Sequence, residues 1–101
     1  MRIELLHIVD CPNTEIAAER LRAALDETGH QKVQVTRTEL TSAPVSASIP
    51  FSGSPTILID GEDAFPSDGR TPDLACRVYP TPDGLAGSPT LDQLVAVLSE
   101  R

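Results

Sequence analysis

Apolar positions change rhythm several times along the chain, and each rhythm predicts an element. Ile3, Leu5, Leu6, Ile8 and Val9 run almost unbroken except for Glu4 and His7, the pattern of a central strand covered on both faces. From Pro12 the spacing becomes helical. Ala17, Leu21, Ala24 and Leu25 form one stripe opposite Glu15, Glu19, Arg22 and Asp26; Pro12 suits the first helical position and Gly29 the stop. These signals place a helix over about 12–28. Lys32–Leu40 alternates and is rich in β-branched residues, which predicts a second strand, parallel to the first by the right-handed crossover rule.

Residues 41–54 carry many serines and prolines, and only a short helix over Pro44–Ser48 is placed there. Pro55–Asp60 reads as a buried strand, and Asp60-Gly61 as a tight turn returning the chain antiparallel through Glu62 to Phe65. Residues 66–87 hold four of the nine prolines around the apolar fragment Leu74–Tyr79, a long insertion of the kind that is usually functional or disordered. Leu91, Leu94, Val95 and Leu98 then mark a closing helix, opened by Pro89 and by a Thr90/Gln93 capping box. Gly-Ser-Pro-Thr occurs twice, at 53–56 before a strand pattern and at 87–90 before a helical one; the contexts differ, so it is not taken as a repeat.

Length and charge narrow the function classes. A chain of 101 residues, 40% apolar, is one domain with a core of its own, and with only Phe51, Phe65 and Tyr79 aromatic that core rests on aliphatic packing. A net charge of −7 disfavours nucleic acid and anionic lipid surfaces as partners. The opening apolar run is too short for a signal peptide or a membrane span, which leads us to expect a soluble, cytoplasmic protein. Cys11 and Cys76 fit neither a zinc spacing nor a dense disulfide framework. Two thiols in a reducing compartment point to redox or soft-metal chemistry.

Cys11 stands where the first strand passes into the first helix, where helix N–H groups and the helix dipole favour the thiolate. Asp10 beside it should raise the thiol pKa by like charge. Strand, Cys11-Pro12-Asn13-Thr14, helix, and then Ser54-Pro55-Thr56 opening a later strand: this arrangement resembles the thioredoxin-like superfamily in its glutaredoxin-like form. The resemblance implies an α/β three-layer sandwich with a central four-stranded mixed sheet, in the order strand–helix–strand–helix–strand–strand–helix, and an insertion before the last helix. It also implies that Cys11 is the nucleophile, that Thr14 replaces the usual second cysteine as in monothiol members, and that Pro55 is a cis proline facing Cys11. A cis bond there would turn the N–H and C=O of Ser54 outward for an extended substrate. Phe51–Gly61 with Ala75–Tyr79 and Gly84-Leu85 is similar to small actinobacterial thioredoxin-like proteins often labelled alkylmercury lyase.

Pro12, Thr14, Ser54, Pro55 and Arg77 are accordingly the candidate substrate-binding residues, with Cys11 and Cys76 as the catalytic pair. If the insertion starts at the Cys11 pole and folds back, Cys76 becomes a resolving thiol or, with Cys11, a soft-metal clamp. Blander roles stand beside these: small buried hydrophobes for the cysteines, a trans proline at a strand start, a surface ion pair for Arg77. His7 reads as a hydrogen-bonded sheet residue, His30 as a solvated turn residue and Asp83 as turn chemistry. The leading expectation is thiol–disulfide exchange with a protein disulfide or a small thiol and no cofactor. The alternatives are a mercury- or metal-binding protein and a redox-inactive binding module.

Overall fold

The computed structural model describes residues 1–41, 51, 53–65 and 77–100. It is a small mixed α/β protein. Strand β1 (Ile3–His7) leads to helix α1 (Asn13–Glu27), then β2 (Val35–Glu39), β3 (Thr56–Ile59), β4 (Glu62–Asp63), a hairpin of β5 (Tyr79–Thr81) and β6 (Gly84–Ala86), and helix α2 (Leu91–Ser99). The four-stranded sheet has the order β2-β1-β3-β4. β1 runs parallel to β2, with Leu5 opposite Arg37, and antiparallel to β3, with Leu5 opposite Ile57.

Alternation along β1 and β3 builds two cores, because successive side chains point to opposite faces. Ile3, Leu5, Ile57 and Ile59 meet Ala17, Leu21, Ala24 and Leu25 of α1 and Leu94 and Leu98 of α2 on one face. Leu6 and Leu58 meet Leu40 and Phe51 on the other. β1 is thus apolar on both faces because both are covered. Each fully buried Leu or Ile contributes roughly 1.5–3 kcal/mol of transfer free energy, and the i, i+3, i+4 and i+7 spacing delivers the helices' share to a single face.

Punctuation in the sequence sets the element ends. Asp60 (φ 53°) and Gly61 (φ 85°) form a left-handed pair at the β3–β4 turn, the conformation that suits a two-residue hairpin and that glycine adopts freely. Thr90 Oγ1 accepts from Gln93 N–H at 3.1 Å while Gln93 Oε1 accepts from Thr90 N–H at 2.9 Å, closing the capping box of α2.

Three expectations shift. β2 starts at Val35 rather than Lys32. β4 ends at Asp63 instead of running to Phe65; Ala64 still donates to Ile57, but the Asp63 carboxylate takes the Phe65 N–H at 2.9 Å and turns the chain out of the ladder. The end of the 66–87 stretch is an ordered hairpin rather than loop, with Thr81 opposite Gly84. The short helix over 44–48, and with it the third layer, lies outside the described residues. No helix among the described residues is long and apolar enough to cross a membrane.

Candidate functional site

Cys11 sits one turn of chain beyond β1, half-buried at the head of α1. Asp10 (φ 58°) reverses the chain just before it. The residue capping α1 is Pro12, whose side chain offers no hydrogen bond to the first helical N–H groups. Those orphan donors point toward the sulfur, and both Asn13 and Thr14 N–H act to favour its ionised form. Thr14 N–H also donates to Cys11 O at 3.2 Å, tightening the turn that carries the thiol.

The start of β3 lies against this turn. The Ser54–Pro55 peptide is cis, and Ser54 O lies 4.0 Å from Cys11 Sγ, at the limit of a weak thiol hydrogen bond. Ser54 Oγ accepts from Ile8 N–H at 3.1 Å, which leaves its own proton to point at the sulfur. Thr14 Oγ1 is buried and, among the described residues, has no hydrogen-bond partner while Cys11 is a thiol.

Burial pushes the Cys11 thiol up, but the hydroxyls of Ser54 and Thr14 and the two backbone N–H groups outweigh it, and the net shift is downward. The physical reason is charge-assisted donation. A thiolate accepts hydrogen bonds far better than a thiol, so donors already aimed at the sulfur favour its ionisation. The carboxylate of Asp10, expected to oppose this, is exposed, where solvent screens it.

Ser54 departs from expectation in one respect. Its carbonyl is not turned out to solvent: Arg77 N–H donates to it at 2.9 Å, and Ser54 is fully buried. Gly53 (φ 107°) permits the approach, since a Cβ there would stand 2.7 Å from Arg77 Cβ. Arg77 is no surface residue either. Its guanidinium pairs with Asp63 Oδ2 at 2.8 Å, donates to Phe65 O, and lies 4.4 Å from the centre of the Tyr79 ring. Tyr79 stacks edge-on with Phe65 at 5.7 Å and donates its hydroxyl to Pro55 O. The chain from Arg77 to Tyr79 therefore clamps both carbonyls of the Ser54–Pro55 unit.

Of the residues singled out from the sequence, Cys11, Thr14, Ser54 and Arg77 converge on one place, with Pro55 beneath and Pro12 exposed at the rim. Thr14, Ser54 and Arg77 are themselves buried, so they shape the sulfur's surroundings from below. Cys76 lies outside the described residues. His7 bonds through Nδ1 to Ile8 O at 3.2 Å, and Asp83 sits in the exposed β5–β6 turn, its N–H donating to Thr81 Oγ1 at 3.2 Å. Asp63, Phe65 and Tyr79 belong to the site and were missed as such, because nothing local in the sequence joins them to Arg77. Among the described residues no three His, Cys, Asp or Glu side chains gather as metal ligands. No family model matches the chain, and no curated protein or solved structure matches it.

Proposed function

We propose that the protein is a thioredoxin-like thiol–disulfide oxidoreductase whose nucleophile is Cys11 and whose substrates are small-molecule disulfides. The observation that carries this reading is the half-buried thiol held below its ordinary pKa at the head of α1, against the cis Ser54–Pro55 peptide. Sheet order β2-β1-β3-β4, with β3 antiparallel to β1 and opened by that proline, supports the thioredoxin-like architecture. The small-substrate preference rests on Ser54. Its carbonyl is engaged by Arg77 and its surface is buried, so an extended polypeptide has no free edge to pair with there.

In the reaction, the Cys11 thiolate attacks one sulfur of RS–SR, forms the mixed disulfide Cys11–S–SR and expels RS⁻. The donors around Sγ favour the thiolate before attack and make Cys11 a good leaving group afterwards. Release takes one of two courses. An external thiol R′SH, as its thiolate, attacks the outer sulfur, giving RS–SR′ and regenerating the Cys11 thiolate. Alternatively Cys76 attacks Cys11 Sγ, expelling the second RS⁻ and leaving an intramolecular disulfide for an external reductant.

Hydroxyethyl disulfide tests the reading. The folded Cys76→Ser variant should take up one mercaptoethanol on Cys11, seen by intact-mass spectrometry, faster than the urea-unfolded chain at neutral pH, and lose it to added thiol. A folded Cys11 that forms no adduct, or forms it no faster than the unfolded chain, contradicts the proposal.

A further inference from the structure

The two edges of the sheet are unequal. β4 is two residues long, acidic, and bound through Asp63 to Arg77, the kind of short, charged and covered edge that resists further pairing. β2 is five residues long, and Thr36, Arg37, Thr38 and Glu39 are all exposed. Leu40 N–H donates to His7 O at 2.8 Å. By alternation Leu40, Thr38 and Thr36 turn their backbone groups toward β1, and Val35, Arg37 and Glu39 turn theirs outward.

We propose that β2 pairs with β2 of a second copy of this chain, antiparallel about a two-fold axis at Thr38, joining two four-stranded sheets into one. Charge selects both the occupant and the register. An antiparallel self-pairing through the outward residues that is centred on Arg37 sets arginine against arginine, and one centred on Glu39 sets glutamate against glutamate; like charges directly opposite are destabilising. Centred on Thr38, Arg37 exchanges its N–H and C=O with Glu39 of the partner subunit, and the two-fold repeats the exchange. Thr38 then faces its own symmetry mate.

The side chains agree with this register. Arg37 lies on the α1 face of the sheet, where it pairs with Glu15 at 2.6 Å, with both side chains largely exposed. Glu39, two residues on, shares that face and has no ion pair among the described residues. Across the proposed interface the Arg37 guanidinium stands between Glu15 and the partner's Glu39. Beside the edge, a groove of about 630 Å³ runs between α1 and β2, where Ala18, Ala23 and Val35 meet the charged Glu19, Arg22 and Asp26. Joining the sheets brings the partner's α1 toward this groove. Exposed ion pairs are worth little individually, so the charges choose the register while the backbone ladder supplies the affinity. The −7 charge of each copy opposes association over distance, but salt screens it beyond about 8 Å at physiological ionic strength.

Sedimentation velocity across a concentration series tests this with the full chain. Wild type should dimerise. Glu39→Arg, which leaves the Glu15–Arg37 pair intact, should weaken the dimer on the order of tenfold or more, since two attractive pairs become repulsive; Arg37→Glu should do likewise. An equimolar mixture of the two variants restores opposite charges at every cross-strand position and should form the heterodimer, with unchanged circular dichroism throughout. A wild type that stays monomeric, a Glu39→Arg dimer as tight as wild type, or a mixture that fails to associate overturns the proposal.

Discussion

Arg77 gives its backbone N–H to the carbonyl of Ser54 at 2.9 Å, so the chain itself occupies that acceptor. Two regions far apart in sequence are tied at one atom, next to Cys11 Sγ. The contact rests on the buried Arg77–Asp63 pair below it, whose side chains are only 5% and 13% exposed.

Breaking that pair leaves an uncompensated buried charge. Arg77→Ala should therefore lower stability by about 3–5 kcal/mol, measured by urea unfolding. Arg77→Lys should recover only part of this, because an ammonium cannot hold Asp63 and Phe65 O together while stacking on Tyr79.

Gly53 and Arg77 approach too closely for a side chain at Gly53. Gly53→Ala must move backbone rather than a flexible tip, and also places alanine at φ 107°. We expect a loss above 1 kcal/mol and faster hydrogen exchange at the Arg77 amide, which amide-exchange NMR reads directly.

Thr14 separates reactivity from stability. Its buried hydroxyl has no acceptor among the described residues until the sulfur ionises. Thr14→Val should raise the Cys11 pKa, read by alkylation rate against pH. At pH values where wild type keeps its thiol protonated, the same variant should be as stable as wild type or more so, because it removes an unsatisfied buried group worth about 1–3 kcal/mol. Thr14→Ser should keep the low pKa.

Tyr79 predicts an alkaline limb of opposite sign. Burial raises its phenol pKa, with Arg77 lowering it and Asp63 raising it in lesser measure. A folded pKa above the unfolded value means that the neutral phenol's contribution is complete below about pH 10 and is lost as pH rises beyond it. Tyr79→Phe should cost about 1–3 kcal/mol at neutral pH, since the Pro55 carbonyl loses its donor. It should also flatten the fall in stability above pH 10, followed by chemical denaturation at stepped pH.

What the sequence disclosed follows from where the physics is local. The β1 run, the α1 stripe, the Asp60-Gly61 turn and the Thr90/Gln93 box each record a constraint within a few residues, and each element appears. The placement of Cys11 at a helix head beside Ser54-Pro55 came from the motif pair and survives in the geometry. The clamp did not come through. Arg77 looked like surface charge because its partner Asp63 lies across a turn and an insertion, and burial of an ion pair is a property of the assembled fold. The β5–β6 hairpin was hidden by Pro80 and Pro82, which demote a strand pattern, yet Pro80 lies in a short two-stranded ribbon and Pro82 in its turn.

The most direct test of the account is the Cys11 pKa, from the rate of iodoacetamide alkylation against pH in the Cys76→Ser variant, set beside stability over the same range. The account predicts a midpoint below the ordinary thiol value of about 8.5. It also fixes a sign: because the folded pKa is the lower one, the thiolate's contribution to stability is complete above the unfolded pKa and is lost as pH falls through the folded one. The stability difference between this variant and the same protein carrying Cys11→Ser should therefore grow as pH rises between the two values. A midpoint at or above 8.5, or a difference that shrinks with rising pH, contradicts the central claim that Thr14, Ser54 and the head of α1 lower the Cys11 pKa.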